Sequence, residues 1–121
     1  MSQTKKFTQP GKREEYYFKE GCFIEEWLND ARHQELSVAR VRVAPRTTTK
    51  LHSLIGTTER YVILSGQGNV TVGEASWEIS AKDVVIINAG QPQQIANTGE
   101  KDLLFLAICT PRFRTENYRE L

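Results

Sequence analysis

Cysteine is scarce in this chain, with two in 121 residues. That is too few for the disulfide framework that holds small secreted domains together. Cys22 and Cys109 lie inside apolar runs, which favours buried free thiols over a disulfide between them. Long apolar runs are missing too. The segment LLFLAIC (103–109) is strand-sized, well short of the ~20 residues a membrane-spanning helix needs. An excess of one charge sign is missing as well. Sixteen Lys and Arg balance fifteen Asp and Glu for a net charge of +1. The cations are interleaved with glutamates, unlike a stripe that tracks phosphates. Nucleic acid and membrane are therefore not expected partners. The opening MSQTKKFTQPGKREE has basic residues but no apolar core of a secretory leader. With the free thiols, it points to a cytoplasmic protein.

No segment carries a long 3.6-residue apolar stripe. What is present is short β-prone runs separated by turn residues. CFIEEW (22–27) reads as a strand, and LNDARHQE (28–35) as a loop holding a solvated His33. LSVARVRVA (36–44) alternates, with Leu36, Val38, Arg40 and Arg42 on one face and Ser37, Ala39, Val41 and Val43 on the other. KLHSL (50–54), ERYVILS (59–65), NVTV (69–72), ASWEIS (75–80), VVII (84–87), QQIAN (93–97) and LLFLAIC follow, most of them closed by Gly, Pro or Asn turns. Gly66 and Gly68 supply turn geometry and no phosphate loop, because no helix follows them. The spacing predicts an all-β sandwich or barrel. We assign residues 1–15 to a flexible tail, 16–113 to the barrel, and 114–121 to a C-terminal strap or short helix.

Two stretches carry the chemistry. In the first, His52-Ser53-Leu54 is followed by four residues, Glu59, six residues and Gly66. In the second, Lys82 is followed by five residues, Asn88, Ala89-Gly90, two residues, Gln93, three residues and Asn97. This double pattern resembles the cupin superfamily of small double-stranded β-helix, or jelly-roll, barrels. In that family's motifs Leu54 stands where a second histidine is usual, Gln93 where the third is usual, Lys82 for a glycine and Asn88 for a proline. The resemblance covers roughly residues 36–113.

The resemblance implies metal-ligand positions at His52, Glu59 and Gln93. Imidazole suits Fe, Ni or Zn, and carboxylate and amide oxygens are harder ligands that suit Mn or Fe. A divalent ion is thus one expectation, with affinity below that of a complete three-histidine set. The alternative is a hydrogen-bonded core histidine with Glu59 as its partner, and Gln93 orienting His52. By strand parity Lys50 and Leu54 share the face of His52, Tyr61 and Ile63 that of Glu59, and Ile95 that of Gln93. Lys50 and Tyr61 are therefore candidates to assist as acid, base or anchor. Arg40, Arg42, Lys50 and Tyr61 together would make a cationic ligand pocket, unless the arginines form a solvent-facing stripe. Tyr61 and Trp27 are aromatic candidates for a pocket mouth or for packing. Cys109 has no histidine neighbour in sequence and is not a convincing nucleophile.

Three functions fit these residues. One is a metal-dependent isomerase, dioxygenase or lyase of a sugar or small carboxylate. Another is a metal-free small-ligand binder. The third is a structural dimer. A homodimer is expected in each functional case, with CFIEEW pairing to a neighbour's sheet edge.

Overall fold

The computed structural model describes residues 4–11 and 14–121. Among these residues there is no α-helix, and no helix is long and apolar enough to cross a membrane. Eleven strands run in chain order: β1 Tyr16–Phe18, β2 Cys22–Leu28, β3 Ser37–Val43, β4 His52–Leu54, β5 Thr58–Ser65, β6 Gln67–Val72, β7 Ala75–Ser80, β8 Val84–Ile87, β9 Gln93–Asn97, β10 Leu103–Thr110 and β11 Tyr118–Glu120. They build two antiparallel sheets, ordered β1-β2-β3-β10-β5-β8 and β11-β4-β9-β6-β7. This is the jelly-roll class expected from the sequence.

Strand alternation sets the core. In β10 every second residue is buried, Leu103, Phe105, Ala107 and Cys109. The same holds for Glu59, Tyr61 and Ile63 on β5 and for Gln93, Ile95 and Asn97 on β9. Val43, Val70, Ile95 and Leu103 are fully enclosed. Each contributes ~1.5–3 kcal/mol through burial of its apolar surface. Asn97 is buried but satisfied: its Nδ2 donates to Val43 O at 2.9 Å and to Lys101 O at 2.7 Å. Gly68 must be glycine, because a Cβ there would run into the carbonyl of Ala96.

The two ends of the chain differ from the simplest expectation. Residues 4–10 form no strand, yet Gln9 is tied to the body. Asn29 N donates to Gln9 Oε1 at 2.7 Å, and Gln9 Nε2 donates to Asn29 O at 3.1 Å. The ring of Phe7 packs edge-on against His33, 5.4 Å between centroids. At the other end a short 3₁₀ turn, Thr115–Asn117, leads into β11, which pairs with β4. CFIEEW is not an edge. It lies between β1 and β3, so β1 already covers it. The terminal strands of the two sheets are β1, β8, β11 and β7.

Candidate functional site

The barrel encloses a narrow cavity of about 50 Å³. That exceeds the ~10–15 Å³ one water needs, so it has room for a few waters or the head of a small ligand. Most of its wall is apolar, from Phe18, Ile24, Val41, Leu54, Phe105 and Ala107. Its polar groups include Glu20, His52, Glu59 and Tyr61, with Cys22 and Cys109 in the same wall, and Tyr16, Glu26, Asn29 and Ser37.

His52 is positioned by β4 and is almost fully buried. Its Nδ1–H donates to Lys50 O at 2.7 Å. The neutral ring therefore carries its lone pair on Nε2. The imidazole stacks on Tyr118 at 5.1 Å. Burial holds its pKa below the ordinary 6.5, opposed by the bond to Lys50 and by Gln93. Glu20, in the turn between β1 and β2, brings Oε1 to 3.7 Å from His52 Nε2. That gap is too long for a direct hydrogen bond and suits a bridging oxygen. Burial, and then the charge of Glu59, push the Glu20 carboxyl up to about 8, with Cys22 opposing. Burial also pushes Glu59 up to about 7, against Gln93 and Cys109. Near neutral pH the contact between Glu20 and His52 thus joins two largely uncharged groups.

Gln93 faces His52 across the β4–β9 pair and lies beside Glu59 as well. Its Oε1 accepts a hydrogen bond from the Tyr61 hydroxyl. Its Nε2 and Glu59 Oε1 are both buried without a hydrogen-bond partner among the described residues. Glu59 Oε2 meets the weak Cys109 Sγ donor at 3.8 Å, and the Gln93 amide lies close enough to favour the carboxylate. Burial raises both thiols, Cys22 and Cys109, far above the ordinary range, so they stay protonated; both are free. Burial first, then the nearby carboxylates, raise the Tyr61 phenol well above 10. Tyr61 is therefore a hydrogen-bond donor at any working pH.

The cationic pocket expected from the sequence is not there. Lys50 is at the surface, 3.8 Å from Glu120. Parity failed for it because the chain before His52 is not regular strand. Arg40 and Arg42 sit on the outer face of β3, where Glu15 holds both, at 3.5 and 2.7 Å. Arg42 also covers the Phe23 ring at 4.2 Å. Their inward neighbours Ala39 and Val41 line the cavity instead. Trp27 is half-exposed, its Nε1 donating to Glu25 at 2.7 Å. Of the expected residues the barrel thus brings together His52, Glu59, Gln93 and Tyr61. It adds Glu20, which the sequence reading missed.

The donor set falls short of a resident divalent ion. Leu54 fills the place of a second imidazole and is buried. Gln93 spends its oxygen on Tyr61 and turns an N–H-bearing nitrogen to the site, which cannot ligate. Among the described residues no group of three or more His, Cys, Asp or Glu is arranged to hold an ion. What the arrangement offers is a donor, an acceptor and two carboxyls that exchange protons near neutral pH.

Two antiparallel sheets closed around a mostly apolar cavity with a cluster of polar side chains define a jelly-roll barrel. Residues 39–109 match the family described as Cupin domain, and the chain belongs to that family. An oxalate-binding protein of Thermotoga maritima is 37% identical over 70 residues, 58% of this chain and 58% of that relative. The chain thus spans little more than half the length of that relative. An uncharacterised protein of Methanocaldococcus jannaschii is 30% identical over 112 residues, 91% of this chain and 90% of that one. Among solved structures, a predicted oxalate decarboxylase of Thermotoga maritima superposes with a TM-score of 0.69 at 32% identity, covering 74% of this chain and 80% of the other. The nucleoside dehydratase Pac13 superposes with a TM-score of 0.79 over 98% of this chain and 92% of its own, at 16% identity. That likeness is one of fold.

Proposed function

We propose that the barrel binds a small, hydroxyl-bearing molecule at its polar end without a resident metal. One observation carries this reading: Gln93 and Glu59 are buried side by side and feel each other, yet neither Gln93 Nε2 nor Glu59 Oε1 reaches hydrogen-bond geometry with any partner among the described residues. A buried polar group without a partner costs ~1–3 kcal/mol. A ligand hydroxyl, which both donates and accepts, removes both costs at once. The 3.7 Å gap between Glu20 and His52 takes a second such oxygen.

A bare dicarboxylate such as oxalate suits this end poorly. It would meet a partly ionised Glu59 and no cation, because Arg40, Arg42 and Lys50 are outside. The resemblance to an oxalate-binding relative therefore supports a small-molecule site and leaves its ligand class open to change. Thermal unfolding with a panel of sugars, sugar acids, nucleosides and oxalate tests the reading. A neutral hydroxylated member should stabilise the protein equally before and after chelation, and oxalate should not. Stabilisation by oxalate alone, lost on chelation, would reject it.

The homodimer stays a proposal on another surface. Val84 and Ile86 of the edge strand β8 are 56% and 63% exposed. Sedimentation showing a monomer at all concentrations would end that reading.

A further inference from the structure

The cavity opens toward the segment that follows β10. An outer hollow of about 420 Å³ shares Tyr16, Glu26, Asn29 and Phe113 with the inner cavity. Its remaining charges are Arg112, Arg114 and Glu116. Arg112 is held in place from two sides. Its backbone N–H donates to Gln34 O at 3.0 Å, and its Nη1 to Asn29 Oδ1 at 2.8 Å. Its Nε is buried with no hydrogen-bond partner among the described residues. No carboxylate of the described residues pairs with it; Arg32, Arg40, Arg42 and Arg46 each have one, and Arg60, Arg114 and Arg119 share its lack. Glu26, the nearest acid shared by both spaces, accepts the Tyr16 hydroxyl at 3.1 Å. The enclosed Nε is out of reach of an anion in the hollow, but Arg112 is only half-buried, and the guanidinium donors not spent on Asn29 remain for one. Its remaining donors form the planar fork that matches phosphate and carboxylate.

The inner cavity is too small for more than a ligand's head, so the rest of any larger ligand must lie in the outer hollow. The two ends differ in make-up: the floor has the carboxyls Glu20 and Glu59 and no cation, whereas the mouth sets Arg112 and Arg114 beside Glu26 and Glu116. We propose that Arg112 anchors an oxyanion at the mouth of the barrel, and that the ligand is a small hydroxylated molecule carrying one phosphate or carboxylate at the end away from Glu20 and Glu59. The ligand's hydroxyl end rests on the reading above; the anchor itself does not need it.

Inorganic phosphate is the probe, titrated at constant ionic strength against chloride and followed by calorimetry on the full chain. Wild type should bind phosphate, Arg112→Gln should weaken it at least tenfold, and Arg112→Lys, which keeps the charge but loses the fork, should fall between. His52→Ala should bind phosphate as wild type does. No phosphate binding by wild type, or equal binding by Arg112→Gln, overturns the anchor. If Arg112→Gln does not fold, equal binding by wild type and Arg112→Lys overturns it. The uncharged members of the sugar and nucleoside panel report on the barrel floor alone, so failure there with phosphate binding intact rejects the floor and leaves the anchor.

Discussion

Replacing Glu20 and Glu59 together by glutamine removes the two carboxyls that tie this fold's stability to pH above 6.5. In the folded chain their carboxyls are raised from 4.5 to about 8 and about 7. Between the unfolded and folded values the native state holds protons that the unfolded chain has released. Stability therefore falls as pH rises through that window. His52 acts in the opposite sense. Its folded pKa lies below 6.5, so it removes stability only as pH falls below 6.5. Above pH 6.5 the carboxyls act alone. From 6.5 to the folded value of about 8, Glu20 has ~1.5 units of its shift left, and Glu59 ~0.5 unit. At 1.36 kcal/mol per unit, the loss between pH 6.5 and 8.5 is about 3 kcal/mol. The two carboxyls feel each other, so this loss belongs to the pair and the double variant is the clean perturbation. At ~4 °C per kcal/mol, Tm should drop by ~10 °C across the window in wild type and by less than ~3 °C in Glu20→Gln/Glu59→Gln. Urea unfolding at half-unit pH steps measures it. A wild-type stability that stays flat or rises from pH 6.5 to 8.5, or a double variant with the wild-type slope, refutes the reasoning.

Leu54→His/Gln93→His supplies the two missing imidazoles, and should take up one divalent ion per chain by elemental analysis while the parent does not; equal uptake by the parent contradicts the reading of its donor set. Gly68→Ala puts a methyl against the Ala96 carbonyl, and should lower stability by ~1–3 kcal/mol in chemical denaturation, the usual cost of overpacking; an unchanged midpoint would show that β6 and β9 can part there. Lys50→Ala, outside the barrel, should leave ligand-induced stabilisation unchanged in thermal unfolding, and a lost response would return Lys50 to the site.

Most of the barrel could be read from the chain because strand parity is a local property. That Ser37, Ala39, Val41 and Val43 share one face follows from alternation alone, as it does for Glu59, Tyr61 and Ile63. The same rule failed for Lys50, because parity counts only where the backbone is extended, and β4 begins at His52. For Arg40 and Arg42, parity grouped the right residues without saying which face was inside. The carboxylate that settles it, Glu15, lies in the stretch read as a flexible tail. Glu20 was out of reach for a different reason. It comes to His52 from 32 positions away, in the turn between β1 and β2, and belongs to no spaced motif. Arg112 gave even less, since an arginine without a counter-ion is visible only once every neighbouring carboxylate is placed.

The central claim is that the polar end of the barrel works through its own side chains. Calorimetric titration of the most stabilising hydroxylated panel member, into protein stripped of metal by chelation and into Glu59→Ala, tests it most directly. The account predicts unchanged affinity in the stripped protein and at least a tenfold loss in Glu59→Ala. Binding that vanishes on stripping and returns with added divalent ion would contradict it.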